Sequence, residues 1–291
     1  MYNFKCNILF FFLIVFFAGC EKDTFEYIDN NEAPPDETIE HVIIENYIIK
    51  LYISVLGRQP TEEEFNEGLM IIESNDLSIN NRGELVDVVM ANEEYLYNEY
   101  KHVRSDLLNG ADTADFTFWI KVYENIKTSS SDERQIDFLT AEIEKLEDCQ
   151  KIIPDLESDS IDFSEVQRRC CFNTIYDGIN MGTENFVVSM YQNFLFRYPT
   201  IDELESASRM VDQYESIVFF ELGRSKEDFL SIFLSSDEYY EGQIRRIYNR
   251  FLFREPNTAE LNDLRILFTK NKDYKEMQKQ ILIQDEYVGI Q

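Results

Sequence analysis

Apolar residues fall one helical turn apart along much of this chain. Val42, Ile43, Tyr47, Leu51 and Val55 recur at helical spacing and predict one helix with a single apolar face. The runs LVDVVM at 85–90 and FLSIFL at 229–234 predict further buried helices. Strand-like alternation is scarce, so the pattern predicts an all-α fold without a sheet.

Three stretches share one layout: YISVLGRQPTEEEF from Tyr52, YQNFLFRYPTIDEL from Tyr191 and YNRFLFREPNTAEL from Tyr248. After each tyrosine come a leucine (Leu56, Leu195, Leu252) and an arginine (Arg58, Arg197, Arg254). A proline (Pro60, Pro199, Pro256), a capping residue (Thr61, Thr200, Asn257) and a glutamate (Glu64, Glu203, Glu260) follow at constant spacing. Proline pushes its predecessor out of the helical region and ends the incoming helix. The cap and the glutamate three residues later then open a new helix as a capping box.

A second cap is expected in each stretch, at Asn81, Ser225 and Asp273. From each of these to the tyrosine of a Glu-Tyr pair (Tyr95, Tyr239, Tyr287) the distance is 14 residues. Variation in length is thereby confined to the segment between the two caps, where insertions are tolerated. The expectation is an array of three-helix units stacked on one another, elongated or globular. Helical units are read at 37–100, 187–242 and 243–291. A candidate worn copy spans 101–146, with caps at Asp112 and Ser130, and a cysteine-containing insertion spans 147–186.

The recurring LGR-x-P-T-x-x-E resembles the punctuation of uncharacterised helical domains in secreted and surface bacterial proteins, some of which accompany haem-binding modules. In the second and third stretches Phe196 and Phe253 stand where the first has Gly57.

The N-terminus adds an address. Lys5 precedes an apolar run at 8–18, too short for a bilayer span of about 20 residues but suited to a signal-peptide core. The run ends in Phe17-Ala18-Gly19-Cys20, which resembles a bacterial lipobox. That resemblance implies cleavage after residue 19 and acylation of Cys20 with chains such as palmitate. Glu21, Lys22 and Asp23 resemble the export signal of Bacteroidota lipoproteins displayed on the outer face of the outer membrane. Residues 20–36, acidic and broken by Pro34 and Pro35, read as a flexible tether.

Net charge is −29, which disfavours nucleic acid and anionic lipid as ligands. Histidine is nearly absent; His41 and His102 both fall in helical stretches and read as surface residues. No Cys-x-x-Cys-His, Gly-rich phosphate loop or His-Glu-x-x-His occurs, so no cofactor or metal is expected. Cys149 is a candidate to bridge to Cys170 or Cys171 in an oxidising exterior. The acidic stretch at 155–165 lacks the glycine of an EF-hand loop, and Val166 stands at the twelfth position.

Residues 170–186 combine glycines, amides and aromatics; Tyr176, Asp177, Asn180 and Thr183 are the candidate binding loop, with Thr183 as a helix cap. A structural crossover is the competing and preferred reading. The three motif arginines are expected to be structural, bonded to helix-end carbonyls or to glutamates of the motif and of the Glu-Tyr pairs. The chain thus reads as a non-catalytic, lipid-anchored surface protein. It would be a binding or accessory subunit beside an envelope partner such as a β-barrel transporter or secretion component. The rival readings are a glycan-binding lipoprotein and a carboxylate-based hydrolase.

Overall fold

Helix α1 (Glu37–Leu56) buries Ile44, Tyr47, Ile48, Leu51, Tyr52 and Val55, the stripe that a 3.6-residue period brings to one face. Val42, expected on that face, is half exposed. A computed structural model describes residues 37–73 and 77–290; the lipobox, the export signal and the tether lie outside them. The fold is all-α, with sixteen helices among the described residues. None of these is long and apolar enough to cross a membrane.

After α1 come α2 (Glu62–Glu73), α3 (Ile79–Met90) and α4 (Glu94–Leu108). Helices α5 (Thr113–Ser129) and α6 (Glu133–Gln150) pack on each other. Short helices α7 (Ile152–Glu157), α8 (Phe163–Cys171) and α9 (Thr174–Ile179) follow. The remainder begins with α10 (Thr183–Leu195) and α11 (Ile201–Val211) and continues through β1 (Ser216–Val218), β2 (Glu221–Gly223) and α12 (Lys226–Phe233). It ends with α13 (Asp237–Leu252), α14 (Thr258–Asn271), α15 (Tyr274–Leu282) and α16 (Asp285–Val288).

Strands β1 and β2 form an antiparallel hairpin that the pattern did not predict. Its two-residue turn carries Phe219 and Phe220 in place of the asparagine and glycine that mark such turns in a sequence. Several caps also shift. Ser78, not Asn81, caps α3, and the buried Asn81 donates to the Ile71 carbonyl at 2.8 Å. Counted from Ser78, the equal spacing to Tyr95 is lost in the first segment. Asp132 rather than Ser130 caps α6, whereas Asp112 caps α5 as expected. Gly182 occupies the cap position of α10, and the Thr183 hydroxyl instead donates to Asp212 at 2.5 Å.

Unit boundaries read from the sequence fall inside helices: 100/101 in α4, 146/147 in α6, 186/187 in α10 and 242/243 in α13. The reason is local. Each Glu-Tyr pair opens the next helix instead of closing the previous one, so α13 ends one segment and begins another. Residues Glu40–Gln291 form one compact unit, and buried side chains from Ile44 to Val288 belong to one core. Within it, α1 and α3 meet the far end of the chain. Tyr47 donates to the Leu282 carbonyl at 3.3 Å, Lys50 to that of Tyr287 at 2.7 Å and Arg82 to Asp285 at 2.6 Å.

The glycine of the first motif now has a physical explanation. Gly57, Phe196 and Phe253 each follow the last residue of a helix and each has positive φ (75°, 56° and 55°). This left-handed terminus suits glycine and strains phenylalanine. Phe253 is 85% exposed, so its ring adds little packing. Phe253→Gly is therefore expected to raise stability by about 1 kcal/mol in chemical denaturation.

Candidate functional site

The motif arginines make the same clamp three times. Arg58 grips Glu64 through both terminal nitrogens (2.7 and 2.8 Å) and reaches Glu94 with Nε at 2.6 Å. Arg197 holds Glu203 (2.8 and 2.6 Å) and Glu238 (2.5 and 2.8 Å). Arg254 does the same with Glu260 (2.8 Å twice) and with Glu286, at 2.8 Å from Nε and 2.6 Å from Nη2. Each guanidinium also donates to the carbonyl of the next residue.

The capping glutamate serves two donors at once, because Thr61, Thr200 and Asn257 give it their backbone N–H at 2.7 Å. The second glutamate comes from the Glu-Tyr pair, whose tyrosine points the opposite way. Tyr95, Tyr239 and Tyr287 are buried, and their hydroxyls donate to Gln278, Gln167 and Ser54. The motif is thus a junction. It ends one helix, caps the next and ties both to a third whose tyrosine enters the core.

These bonds shift the carboxylates. The Arg58 guanidinium holds Glu64 down at about 2, and Arg197 does the same to Glu203. Arg254 also lowers Glu260 and Glu286. A depressed carboxylate adds stability above its unfolded value, near 4.5, and that stability is lost as pH falls toward about 2. Wild type is therefore expected to lose more stability between pH 4.5 and 2 than a Glu64→Gln/Glu203→Gln/Glu260→Gln variant. The comparison cancels the effect of overall charge that both proteins share, a charge that passes through zero near pH 4.3 and turns positive below it. Arg197→Leu, which leaves two facing glutamates without their cation, is expected to cost about 2 kcal/mol. Arg197→Lys should recover only part of it, since an ammonium cannot fork.

The expected binding loop is internal. Tyr176 is fully buried in α9 and bonded to Ser189 at 2.7 Å; Asp177 pairs with Lys226; Asn180 donates to the Tyr176 carbonyl at 3.1 Å. With Thr183 on Asp212, the four residues anchor α9 and α10 to the body and converge on no shared opening. Nor is there a disulfide among the described residues. Cys149, Cys170 and Cys171 are buried free thiols, and burial raises all three, Cys149 to about 12. Cys149 donates to the Arg169 carbonyl at 3.3 Å and so has a structural partner.

The 155–165 stretch is likewise committed: Asp155 pairs with Arg169, Asp162 caps α8, and Glu165 holds both Arg168 and Arg169. Among the described residues no group of histidine, cysteine, aspartate and glutamate is placed to hold a metal.

A half-enclosed cleft of about 230 Å³ lies between α4, α8, α10, α13 and α15. Val103, Leu107, Phe194 and Ile247 wall it, with His102, Asp106, Arg246 and Arg250 around them. Its charges are matched: Arg246 pairs with Asp106, and Arg250 with the buried Glu99 at 2.7 Å. Partial burial and the nearby Arg250 cation lower His102, leaving it uncharged at neutral pH.

Other exposed apolar side chains stand out on α11, on the hairpin and on the turn between them. Ile201 (85% exposed), Tyr214, Ile217, Phe220 and Leu222 all lie open to solvent. A shallow groove of about 290 Å³ between α11 and the hairpin is lined by Asp202, Ser206, Ile217 and Phe220. A second exposed set, Phe118, Ile126 and Phe138, lies on α5 and α6 but without backbone strain. Comparison of the chain with known protein families, characterised proteins and solved structures finds no match.

Proposed function

We propose that the chain is a non-catalytic, lipid-anchored protein of the outer-membrane surface, serving as a binding or accessory subunit of an envelope assembly. The observation that carries this reading is the hairpin, where Ile217, Phe220 and Leu222 stand uncovered on an otherwise acidic molecule. Contiguous exposed apolar surface of this kind marks interaction sites. The partner class, a β-barrel transporter or secretion component, follows from the address carried by Cys20 and the acidic residues after it. Acyl chains contribute about 0.8 kcal/mol per buried CH₂, so two or more of them anchor the chain firmly. The exposed hairpin mixes Ile217 and Leu222 with Phe220. Aliphatic side chains do not stack on sugar rings, which favours a protein ligand over a glycan.

The address is tested by Cys20→Ala. Loss of acyl labelling together with release from the membrane, or retention of the signal peptide, is expected. Normal labelling of that variant contradicts the anchor. Protease added to intact cells should cleave the wild-type chain; protection from it places the protein in the periplasm.

A further inference from the structure

We infer that the hairpin at 216–223 is a docking ridge for a partner protein that offers an apolar groove bordered by lysine and arginine. The inference rests on the accessory-subunit reading and names the surface and chemistry of its contact.

Sheet geometry supplies the first argument. An antiparallel pair lying on a protein body alternates apolar residues inward with polar residues outward. Here Val218 and Gly223 face inward, Gly223 against Met210 and Asp228. Their neighbours Ile217 and Leu222 are cross-strand partners, 58% and 64% exposed. The face turned to solvent is therefore the apolar one, while Ser216 and Glu221 share the other face with Val218 and Gly223, the reverse of the usual arrangement.

The turn supplies the second argument. Phe219 and Phe220 both have positive φ, 47° and 67°. Left-handed backbone costs a residue with a Cβ about 1–2 kcal/mol. Phe219 returns part of that by packing near Tyr191 and Phe233, with centroids 6.2 and 5.7 Å away. Phe220 is completely exposed and gains no comparable burial. Phe253 shares such strain at a lone exposed ring. Phe220 differs in standing beside the exposed pair Ile217 and Leu222 and a groove, and strain kept at such a cluster points to a role outside the fold.

Charge then selects the partner. Asp202, Glu205, Glu215 and Glu221 stand exposed around the ridge, against Arg209 and Arg224. This acid-rich rim repels anionic lipid headgroups and complements a basic border. The groove beside Phe220 gives the partner a place for a reciprocal side chain.

The test puts a photoreactive benzoylphenylalanine at position 220 of the full acylated chain in native membranes, with position 253 as an exposed control. Expected is a protein adduct at 220 at least fivefold stronger than at 253, whose partner peptide contains apolar residues flanked by lysine or arginine. Glu215→Lys/Glu221→Lys should lower capture at least fivefold, as should raising salt from 50 to 500 mM, without lowering the melting temperature. Adducts confined to lipid, to glycan or to residues 20–36 of this chain overturn the inference, as do equal yields at 220 and 253. If mild detergent recovers a stoichiometric partner but position 220 stays silent, the ridge fails and the accessory-subunit reading stands. If neither is found, both fail.

Discussion

Gly242→Ala is expected to cost about 3 kcal/mol, at the upper end of what one methyl group forced into a packed interface does. Gly242 sits where α13 crosses the last turn of α10. A Cβ built there lies 1.8 Å from the Phe194 carbonyl oxygen and 2.9 Å from its carbon. Both obstacles are backbone, so no side-chain rotation relieves them and the helices must separate. Separation also strips Arg246, one turn along α13, from the Asn193 carbonyl that it caps. Gly178→Ala in α9 is the control, because nothing lies within 4 Å of its new methyl group; it should be neutral or mildly stabilising. Equal denaturation midpoints for the two variants would refute the close crossing.

The second large effect belongs to Arg250, which joins three helices. It donates to Glu99 on α4 at 2.7 Å and to the Ser54 carbonyl on α1 at 2.9 Å. Glu99 is only 2% exposed, and burial already pushes its carboxyl up despite the nearby guanidinium. Arg250→Leu leaves that carboxylate alone in the core, a change worth about 3–5 kcal/mol. The deficit has a definite pH dependence. Without Arg250 the folded-state value of Glu99 rises further, so stability is retained below the unfolded value near 4.5 and lost as pH climbs. Urea midpoints of the variant should therefore approach wild type toward pH 4.5 and diverge above it. Glu99→Leu/Arg250→Leu should recover most of the loss, since an apolar pair of similar volume removes the stranded charge.

Elements written in local chemistry were legible in the sequence. The Pro-cap-Glu signature places the starts of α2, α11 and α14, and the constant offsets of Arg58, Arg197 and Arg254 mark clamps on Glu64, Glu203 and Glu260. What stayed hidden depends on distant partners. Nothing near Gly242 announces that Phe194 will touch it, and nothing in α4 tells Glu99 that its cation lies 151 residues away. The hairpin hid for another reason. Its signal was the run Ser216 to Gly223, rich in branched and aromatic residues, but the turn broke the expected residue rule.

Such a violation is informative, because local rules fail where another constraint acts. The Cys170–Phe186 stretch shows the reverse, with unusual composition spent on internal anchoring through Tyr176 and Asp177.

Membership of an assembly is the central claim, and quantitative capture from native membranes measures it most directly. The acylated chain, tagged at its C-terminus and recovered in mild detergent, should carry one envelope protein in near-equimolar amount, by mass spectrometry with isotope-labelled standards. Phe220→Ser should reduce that ratio at least fivefold while the melting temperature holds or rises. Recovery of the chain alone, with every co-purifying protein far below equimolar, would contradict the account.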